Sequence, residues 1–213
     1  MPCISCSLMT SGRNSLCKKC RGRFSKPIFE EIEIVEGEEC RWIALTKGYR
    51  TLISAHRYDE LMKHNWMCVG DRGKYAAMRS FRPDGKPFNL PMHVLINGTP
   101  DGMETDHKNR NGLDNRDSNL RTASRSENRA NCGIYTRNKS GFKGVRRQKN
   151  FWEAKIRKDG VVTVLGRFKN IEDAANAYIE AAQKIHGNFS PDRINQTRLQ
   201  LLDHRFQFPS VLP

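Results

Sequence analysis

Apolar and polar residues alternate in short runs along the first half of the chain, with the period of two that is typical of half-buried β-strands. Residues 41–45 and 49–53 are two of these runs, and the Lys47-Gly48 pair between them has the chemistry of a tight turn. Together they predict a β-hairpin. The apolar spacing of residues 55–64 instead predicts a short helix.

Three further strands are predicted after this helix, at residues 66–69, 74–81 and 88–93. Turn sequences rich in Gly, Pro and Asp separate them. Several strands with one helix form a small α+β layer, and we expect such a layer to lead into the part of the chain that is richest in chemically capable residues.

Residues 140–190 carry a second pattern of three alternating runs followed by a helical one. The Asp159-Gly160 pair between two of the runs is a strong signal for a tight hairpin. The helix is predicted to begin near Asn170 and to stop at Gly187. Its apolar residues share one face, which would pack on the sheet: Ala174, Ala175, Tyr178, Ala181, Ala182 and Ile185.

Composition indicates a class of partner only through charge. The 213 residues include 37 Lys and Arg against 23 Asp and Glu, which gives a formal net charge of +14. A balance this basic favours a polyanionic partner, although it does not separate DNA from RNA or an acidic membrane. No stretch approaches the roughly 18 apolar residues that span a bilayer, and no apolar signal-peptide core begins the chain. We therefore expect a cytoplasmic protein with neither a membrane partner nor a small-molecule substrate.

The charge is unevenly distributed near the start of the chain. Residues 1–27 contain six basic and no acidic residues, whereas residues 28–40 contain six glutamates and no basic residue. Ile32 and Ile34 alternate with these glutamates, which predicts a short strand with a solvated acidic face. The alternative is an acidic segment that shields a basic surface.

Four of the seven cysteines form two closely spaced pairs, Cys3 with Cys6 and Cys17 with Cys20. An odd total argues against a complete disulfide framework. Two such pairs can supply four thiolates to one tetrahedral Zn²⁺, and so short a segment cannot bury a core without a staple of this kind. Residues 1–27 therefore resemble a minimal zinc ribbon with a structural Zn²⁺. The alternative is a set of reduced or randomly oxidised thiols without metal.

Residues 104–131 carry the strongest indication of catalysis, because Asp106 and His107 are adjacent and are followed by Asn119 and Asn128. Hydrolysis of a phosphodiester needs a cation that neutralises the developing charge and a base that deprotonates water. Asp106 and Asn128 offer the oxygen ligands that Mg²⁺ and Mn²⁺ prefer. The imidazole of His107 suits a base near neutral pH.

The sequence also predicts how Asn128 is held. Ser124 and Glu127 have the spacing of a capping box, which would begin a helix and place Asn128 in its first turn. Asp106 and His107 would point to opposite faces of a regular strand, so both could serve one phosphate only if the strand were distorted. The alternative is a plain polar loop.

The order of these residues resembles the HNH nuclease motif over residues 88–131. The resemblance implies two short strands and a helix around one divalent metal ion. It implies that Asp106 and Asn128 bind Mg²⁺ or Mn²⁺ and that His107 is the general base. Asn119 would be a second catalytic residue, which holds His107 through a backbone hydrogen bond.

The resemblance of the second pattern lies in five successive segments, residues 140–147, 152–157, 159–160, 164–168 and 172–178. They resemble the ethylene-response-factor (Apetala) DNA-binding domain of plants, which is also found fused to phage HNH endonucleases. In that family the sheet enters the major groove of DNA. The resemblance implies DNA-binding positions at Lys143, Arg146, Gln148, Lys155 and Arg157. Val162 and Val164 depart from the plant pattern, so the plant recognition site is not expected.

The predicted fold class is α+β, in a small modular chain. The modules are a zinc knuckle with four cysteine ligands at 1–27, a strand-rich region with the ββα-metal nuclease core at 28–131, a linker at 132–139, a three-stranded antiparallel sheet packed on one helix at 140–190, and a tail at 191–213.

These resemblances imply a metal-dependent endonuclease for double-stranded DNA, similar to the homing endonucleases of bacteriophages and acting as a monomer or weak dimer. One active site cuts one strand at a time, so a nick is expected. Two alternatives stay open. A sequence-specific DNA-binding regulator with an inert HNH scaffold would bind without cutting, and an RNA-processing nuclease would prefer RNA, although the chain lacks an aromatic motif for stacking on RNA bases.

Overall fold

The computed structural model describes residues 31–135 and 137–190. The predicted zinc knuckle at 1–27 and the predicted tail at 191–213 lie outside the described residues. The described chain is a mixed α+β fold with several small sheets and few helices, which confirms the predicted class. None of the described helices is both long enough and apolar enough to cross a membrane.

The strands are β1 Glu33–Val35, β2 Glu38–Ala44, β3 Arg50–Ser54, β4 Met67–Asp71, β5 Lys74–Phe81, β6 Phe88–Pro91, β7 Glu104–His107, β8 Asp114–Asn115, β9 Leu120–Ala123, β10 Val145–Gln148, β11 Phe151–Lys158 and β12 Val161–Phe168. The α-helices are α1 Tyr58–Met62, α2 Met92–Asn97, α3 Arg125–Asn131 and α4 Ile171–His186.

The described residues divide into two compact units. The first unit contains residues 31–98 and 111–120, and the second contains residues 99–110 and 121–190. The chain therefore leaves and re-enters the first unit within the segment that resembles the nuclease motif. The module boundaries expected from the sequence stay a prediction.

Two small sheets build the first unit. The strands β1, β2 and β3 are antiparallel neighbours, and β8 pairs with β3 in parallel, while β4, β5 and β6 form the second, antiparallel sheet. Lys47 and Gly48 take φ values of 62° and 76° in the turn between β2 and β3, which confirms the predicted hairpin. The core of this unit includes Ile43, Ile53, Leu61, Trp66, Ala77 and Met92.

The acidic segment forms a hairpin rather than the single short strand that its alternation predicted. Glu36 and Gly37 take φ values of 53° and 82°, so the chain turns back between β1 and β2. Ile34 is 67% exposed, in keeping with a solvated face. A Glu36 carboxylate oxygen lies 3.1 Å from the guanidinium of buried Arg116, which also makes two 2.8 Å hydrogen bonds to Asp114. This ion pair fastens the returning segment 111–120 onto the first unit.

The strand predicted at 88–93 ends earlier, because β6 stops at Pro91 and α2 follows. Met92 and Ile96 lie four residues apart and are both buried, which is the spacing of one helical face. Gly98, at a φ of 57°, ends the helix in the left-handed conformation. The composition of this apolar run fits a strand or a helix equally well. The burial of one helical face favours the helix.

The second unit contains the paired strands β7 and β9, helix α3, and the antiparallel sheet β10–β11–β12 with α4 packed against it. Asp159 and Gly160 take φ values of 49° and 85° between β11 and β12, which confirms the predicted tight turn. Gly144 is required where the chain meets α4, because a Cβ there would lie 2.0 Å from the Tyr178 ring.

The predicted apolar face of α4 is mostly correct. The buried residues of this helix are Ala174, Ala175, Tyr178, Ile179, Ala182 and His186, whereas Ala181 and Ile185 are partly buried. Burial lowers the pKa of His186, and the positive charges of Lys143 and Lys158 lower it further. The imidazole is therefore neutral at neutral pH.

Candidate active site

Helix α3 begins with the capping box that the sequence predicted. The backbone N–H of Glu127 donates to Ser124 Oγ at 3.2 Å, and the backbone N–H of Ser124 donates to Glu127 Oε2 at 2.7 Å. The hydrogen bond from the Ser124 backbone, and after it the Ser124 side chain, lower the pKa of the Glu127 carboxyl. The backbone N–H of Asn128 then reaches the Ser124 carbonyl at 2.9 Å, so Asn128 lies in the first turn as expected.

Asp106 lies on β7 and is only 5% exposed. Its Oδ2 accepts a hydrogen bond from Arg121 Nε at 2.7 Å and lies 2.6 Å from Arg121 Nη2. Asn131 Nδ2 donates to its Oδ1 at 2.8 Å. One strand neighbour and one helix residue therefore fix the orientation of this carboxylate.

Asn128 points its amide nitrogen at a carboxylate on the neighbouring strand. Its Nδ2 donates to Glu104 Oε2 at 2.6 Å. Because the nitrogen is used in this contact, the amide oxygen is the atom that could bind a cation.

His107 ends β7 and is half-buried. Its carbonyl oxygen accepts from Asn131 Nδ2 at 2.9 Å and from the backbone N–H of Arg110 at 2.8 Å. The backbone that carries the predicted base is thus held by the same amide that holds Asp106.

Asn119 belongs to the first unit, where it is 5% exposed. Its Nδ2 donates to the carbonyl oxygen of Asp114 at 2.7 Å, a bond that stabilises the turn before β9. Its predicted hydrogen bond toward His107 stays a prediction.

Arg121 and Asn131 were missed by the interpretation of the sequence. Asn131 follows Asn128 by three residues and so shares its side of α3, which is a signal that could have identified it. Arg121 gives no such signal, since its partner lies fifteen residues earlier on the neighbouring strand.

The donors in this site fit a hard divalent cation. Asp106 and Asn128 both offer oxygen atoms, as Mg²⁺ and Mn²⁺ prefer. Among the described residues, Asp106 Oδ1 accepts only from the Asn131 amide, so the carboxylate keeps capacity for a cation. Within the part of the chain that is described, no three His, Cys, Asp or Glu side chains gather into a larger cluster.

Four of the predicted DNA-binding residues lie on the sheet in the second unit. Arg146 Nε and Lys155 Nζ lie 2.8 Å and 2.9 Å from the same oxygen of Glu153, and these contacts, Lys155 first, lower the pKa of that carboxyl. Gln148 lies beside Arg146, and the Arg157 side chain is exposed. Glu153 therefore offsets part of the positive charge on this face.

Lys143, the fifth predicted DNA-binding residue, contacts the end of helix α3. Its Nζ donates to the carbonyl oxygens of Ala130 and Cys132, each at 2.5 Å, at the end of α3. Burial lowers its pKa to about 8, so the ammonium is still mostly protonated at neutral pH. A cation on the last carbonyls of a helix stabilises that end. The DNA contact expected for Lys143 from the sequence stays a prediction.

The family model for HNH endonucleases matches residues 93–130, a segment that includes Asp106, His107, Asn119 and Asn128. The chain carries an HNH endonuclease domain. An uncharacterized HNH endonuclease of Acanthamoeba polyphaga mimivirus is 27% identical over 153 residues, which are 70% of this chain and 78% of the relative. No solved structure matches the chain.

The HNH domain confirms the prediction of a nuclease enzyme. Nucleases of this family act on DNA and generally use a divalent metal ion. The identity of the ion, the residues that bind it and the way the DNA is positioned are proposals.

Proposed function

We propose that this protein is a metal-dependent endonuclease that hydrolyses phosphodiester bonds in double-stranded DNA. The observation that carries the proposal is the buried Asp106 carboxylate, held by Arg121 and Asn131 between the paired strands and helix of the HNH domain. Burying a carboxylate costs free energy, so buried carboxylates are found where the charge is fully paired or takes part in chemistry.

His107 accepts the proton of the attacking water in this proposal. The water oxygen forms a bond to phosphorus while the bond from phosphorus to the 3′ oxygen breaks, and the leaving 3′ oxygen takes up a proton from solvent, which gives a 5′-phosphate and a 3′-hydroxyl. Asp106 and Asn128 would hold Mg²⁺ or Mn²⁺, and the bound ion would supply charge neutralisation at the phosphate.

A single site of this kind opens one strand. The protein acts as a monomer or weak dimer, and the monomer leaves a nick. A double-strand break needs a second copy or a second event.

The sheet β10–β11–β12 positions the DNA in this proposal. Arg146, Gln148, Lys155 and Arg157 approach the major groove as in the ethylene-response-factor family, with the arginines able to pair bidentately with guanine. Glu153 neutralises part of the positive charge on this face and restrains Arg146 and Lys155. Such a face favours selective contacts with DNA more than a uniformly basic face would.

The experiment that tests this function is incubation of purified protein with supercoiled plasmid or with RNA, in Mg²⁺, in Mn²⁺ and in excess chelator. We expect nicked plasmid only with metal, and intact RNA. Specific DNA binding with intact plasmid in both metals would identify a regulator instead, and preferred cleavage of RNA would identify an RNA-processing enzyme.

We further propose a structural Zn²⁺ at Cys3, Cys6, Cys17 and Cys20, which should be present at about one equivalent in freshly purified, reduced protein. Cys17→Ser should lose it, because a tetrahedral thiolate site needs all four ligands. Elemental analysis measures the zinc, with Cys132→Ser, at an exposed cysteine outside the motif, as the matched control. Wild-type protein without zinc would contradict the site.

A further inference from the structure

A groove with a volume of about 690 Å³ lies within the second unit, between α3 and the strand β11. Arg125 and Arg129 line it from the helix, and Lys155 and Arg157 line it from the strand. Arg125 and Arg129 are four residues apart and so share one side of α3, while Lys155 and Arg157 share one face of the sheet.

The charge in this groove is largely uncompensated. Arg125, Arg129 and Arg157 are exposed and form no ion pair with any residue in the described ranges. Lys155 pairs with Glu153, and Asp159 is the one carboxylate on the described lining.

The two walls are held together. Ser126 Oγ on α3 accepts from the backbone N–H of Asp159 at 2.9 Å, and Lys143 reaches the carbonyl oxygens at the end of the same helix. The cations of the helix and of the sheet therefore keep a fixed spacing, as a ligand with regularly spaced charges requires.

We propose that this groove binds the sugar–phosphate backbone of the DNA substrate, with Arg125 and Arg129 contributing phosphate contacts beyond those of the sheet. Guanidinium groups pair bidentately with phosphate. The inference rests on the proposed function and gives the substrate a path from the sheet to α3, the helix that carries Asn128. Tyr135, 66% exposed on the groove lining, provides apolar contact for the sugars.

The test is the salt dependence of binding to a short random-sequence duplex. The Arg125→Gln/Arg129→Gln variant should lower the magnitude of the slope of log K against log salt by about 0.9 for each phosphate that the protein no longer neutralises. Arg125→Lys/Arg129→Lys should restore most of the slope. The matched control is Arg72→Gln/Lys74→Gln, which removes two exposed charges from the β4–β5 turn of the first unit.

One outcome is a glutamine variant with the same unfolding midpoint as the wild type and the same salt slope as the control. That result overturns the proposal that the groove binds DNA, and it leaves the proposed function untouched. Wild-type protein that does not bind duplex DNA overturns both the groove and the proposed function. If the glutamine variant does not fold, the lysine pair still decides the question, because removing bidentate guanidinium–phosphate pairing must weaken binding relative to the wild type and to the control.

Arg121 contacts two residues in addition to Asp106. Its Nη1 donates to the carbonyl oxygen of Asn188 at 2.7 Å, and its guanidinium carbon lies 3.8 Å from the centre of the Phe189 ring. Asn188 and Phe189 form the short turn directly after α4. The guanidinium is thus held on one side by the ring and at its edge by a carbonyl.

The geometry points to Arg121 and Phe189 as positioning residues for Asp106. The planar guanidinium can present Nε and Nη2 to one carboxylate oxygen only in a narrow range of orientations, and Phe189 restricts that range. The end of α4 is thereby connected to the carboxylate that would hold the cation. Groups that orient a metal ligand typically change metal affinity by about 10- to 100-fold.

The test is the affinity of DNA-free protein for Mn²⁺, measured by calorimetry beside the thermal unfolding midpoint. Arg121→Lys and Phe189→Ala should weaken Mn²⁺ binding by about 10-fold or more, and Phe189→Tyr should restore it. Arg147→Ala, which removes another arginine stacked on an aromatic ring, is the matched control. Folded variants with wild-type affinity would overturn the positioning role, whereas wild-type protein without Mn²⁺ affinity would contradict the metal site itself.

Discussion

His107→Ala should reduce the rate of DNA cleavage by about 100-fold or more, the range associated with loss of a general acid–base group. The affinity for DNA should be retained, because the sheet and groove that we propose for binding do not use this imidazole. The rate is measured under single-turnover conditions, with the protein saturating the DNA.

The dependence on pH gives a second readout of the same residue. The wild-type rate should fall at acid pH because an imidazolium cannot accept a proton, while the residual rate of the variant should not follow that profile. His56→Ala, at a histidine whose side chain is 67% exposed in the first unit, is the matched control. A variant with the wild-type pH profile would remove His107 as the base.

Asp106→Asn and Asn128→Ala should abolish most cleavage in Mg²⁺ by weakening metal binding, and raised Mn²⁺ should partly rescue Asn128→Ala. The reason is the loss of the negative charge and one oxygen of the carboxylate in Asp106→Asn, and the loss of the amide oxygen in Asn128→Ala. The measurement is the cleavage rate as a function of metal concentration, with Asn89→Ala, an exposed amide on β6, as the control. Unchanged metal dependence in both variants would place the cation elsewhere.

Asp106→Asn and Asp106→Ala both remove the negative charge of the buried ion pair with Arg121, but asparagine keeps the side-chain shape and one oxygen acceptor. Removing one partner of such a pair typically costs about 3–5 kcal/mol. Asp106→Ala should therefore lower the unfolding midpoint by more than Asp106→Asn, which keeps the shape of the side chain. Loss of activity in the alanine variant alone would not separate metal binding from folding.

The features that the sequence predicted correctly are local. The capping box of Ser124 and Glu127, and the turn at Asp159 and Gly160, depend on residues within three positions of one another. Their geometry follows from side-chain and backbone chemistry that tertiary contacts do not change.

The features that the sequence did not predict depend on distant partners. Arg121 meets Asp106 across two strands and Asn188 across 67 residues, and the ammonium of Lys143 reaches carbonyl oxygens of a preceding helix. A basic residue in a sequence can face DNA, a carboxylate or a helix end with equal chemical justification. Only packing decides among these, as it did for α2, where burial of one helical face replaced the predicted end of a strand.

Cleavage of DNA by the HNH domain with His107 as the base is tested by a single-turnover time course on supercoiled plasmid in Mg²⁺, with wild type and His107→Ala at saturating concentration. We expect nicked circles from the wild type and almost none from the variant over the same period. Equal rates of nicking by the two proteins would contradict it.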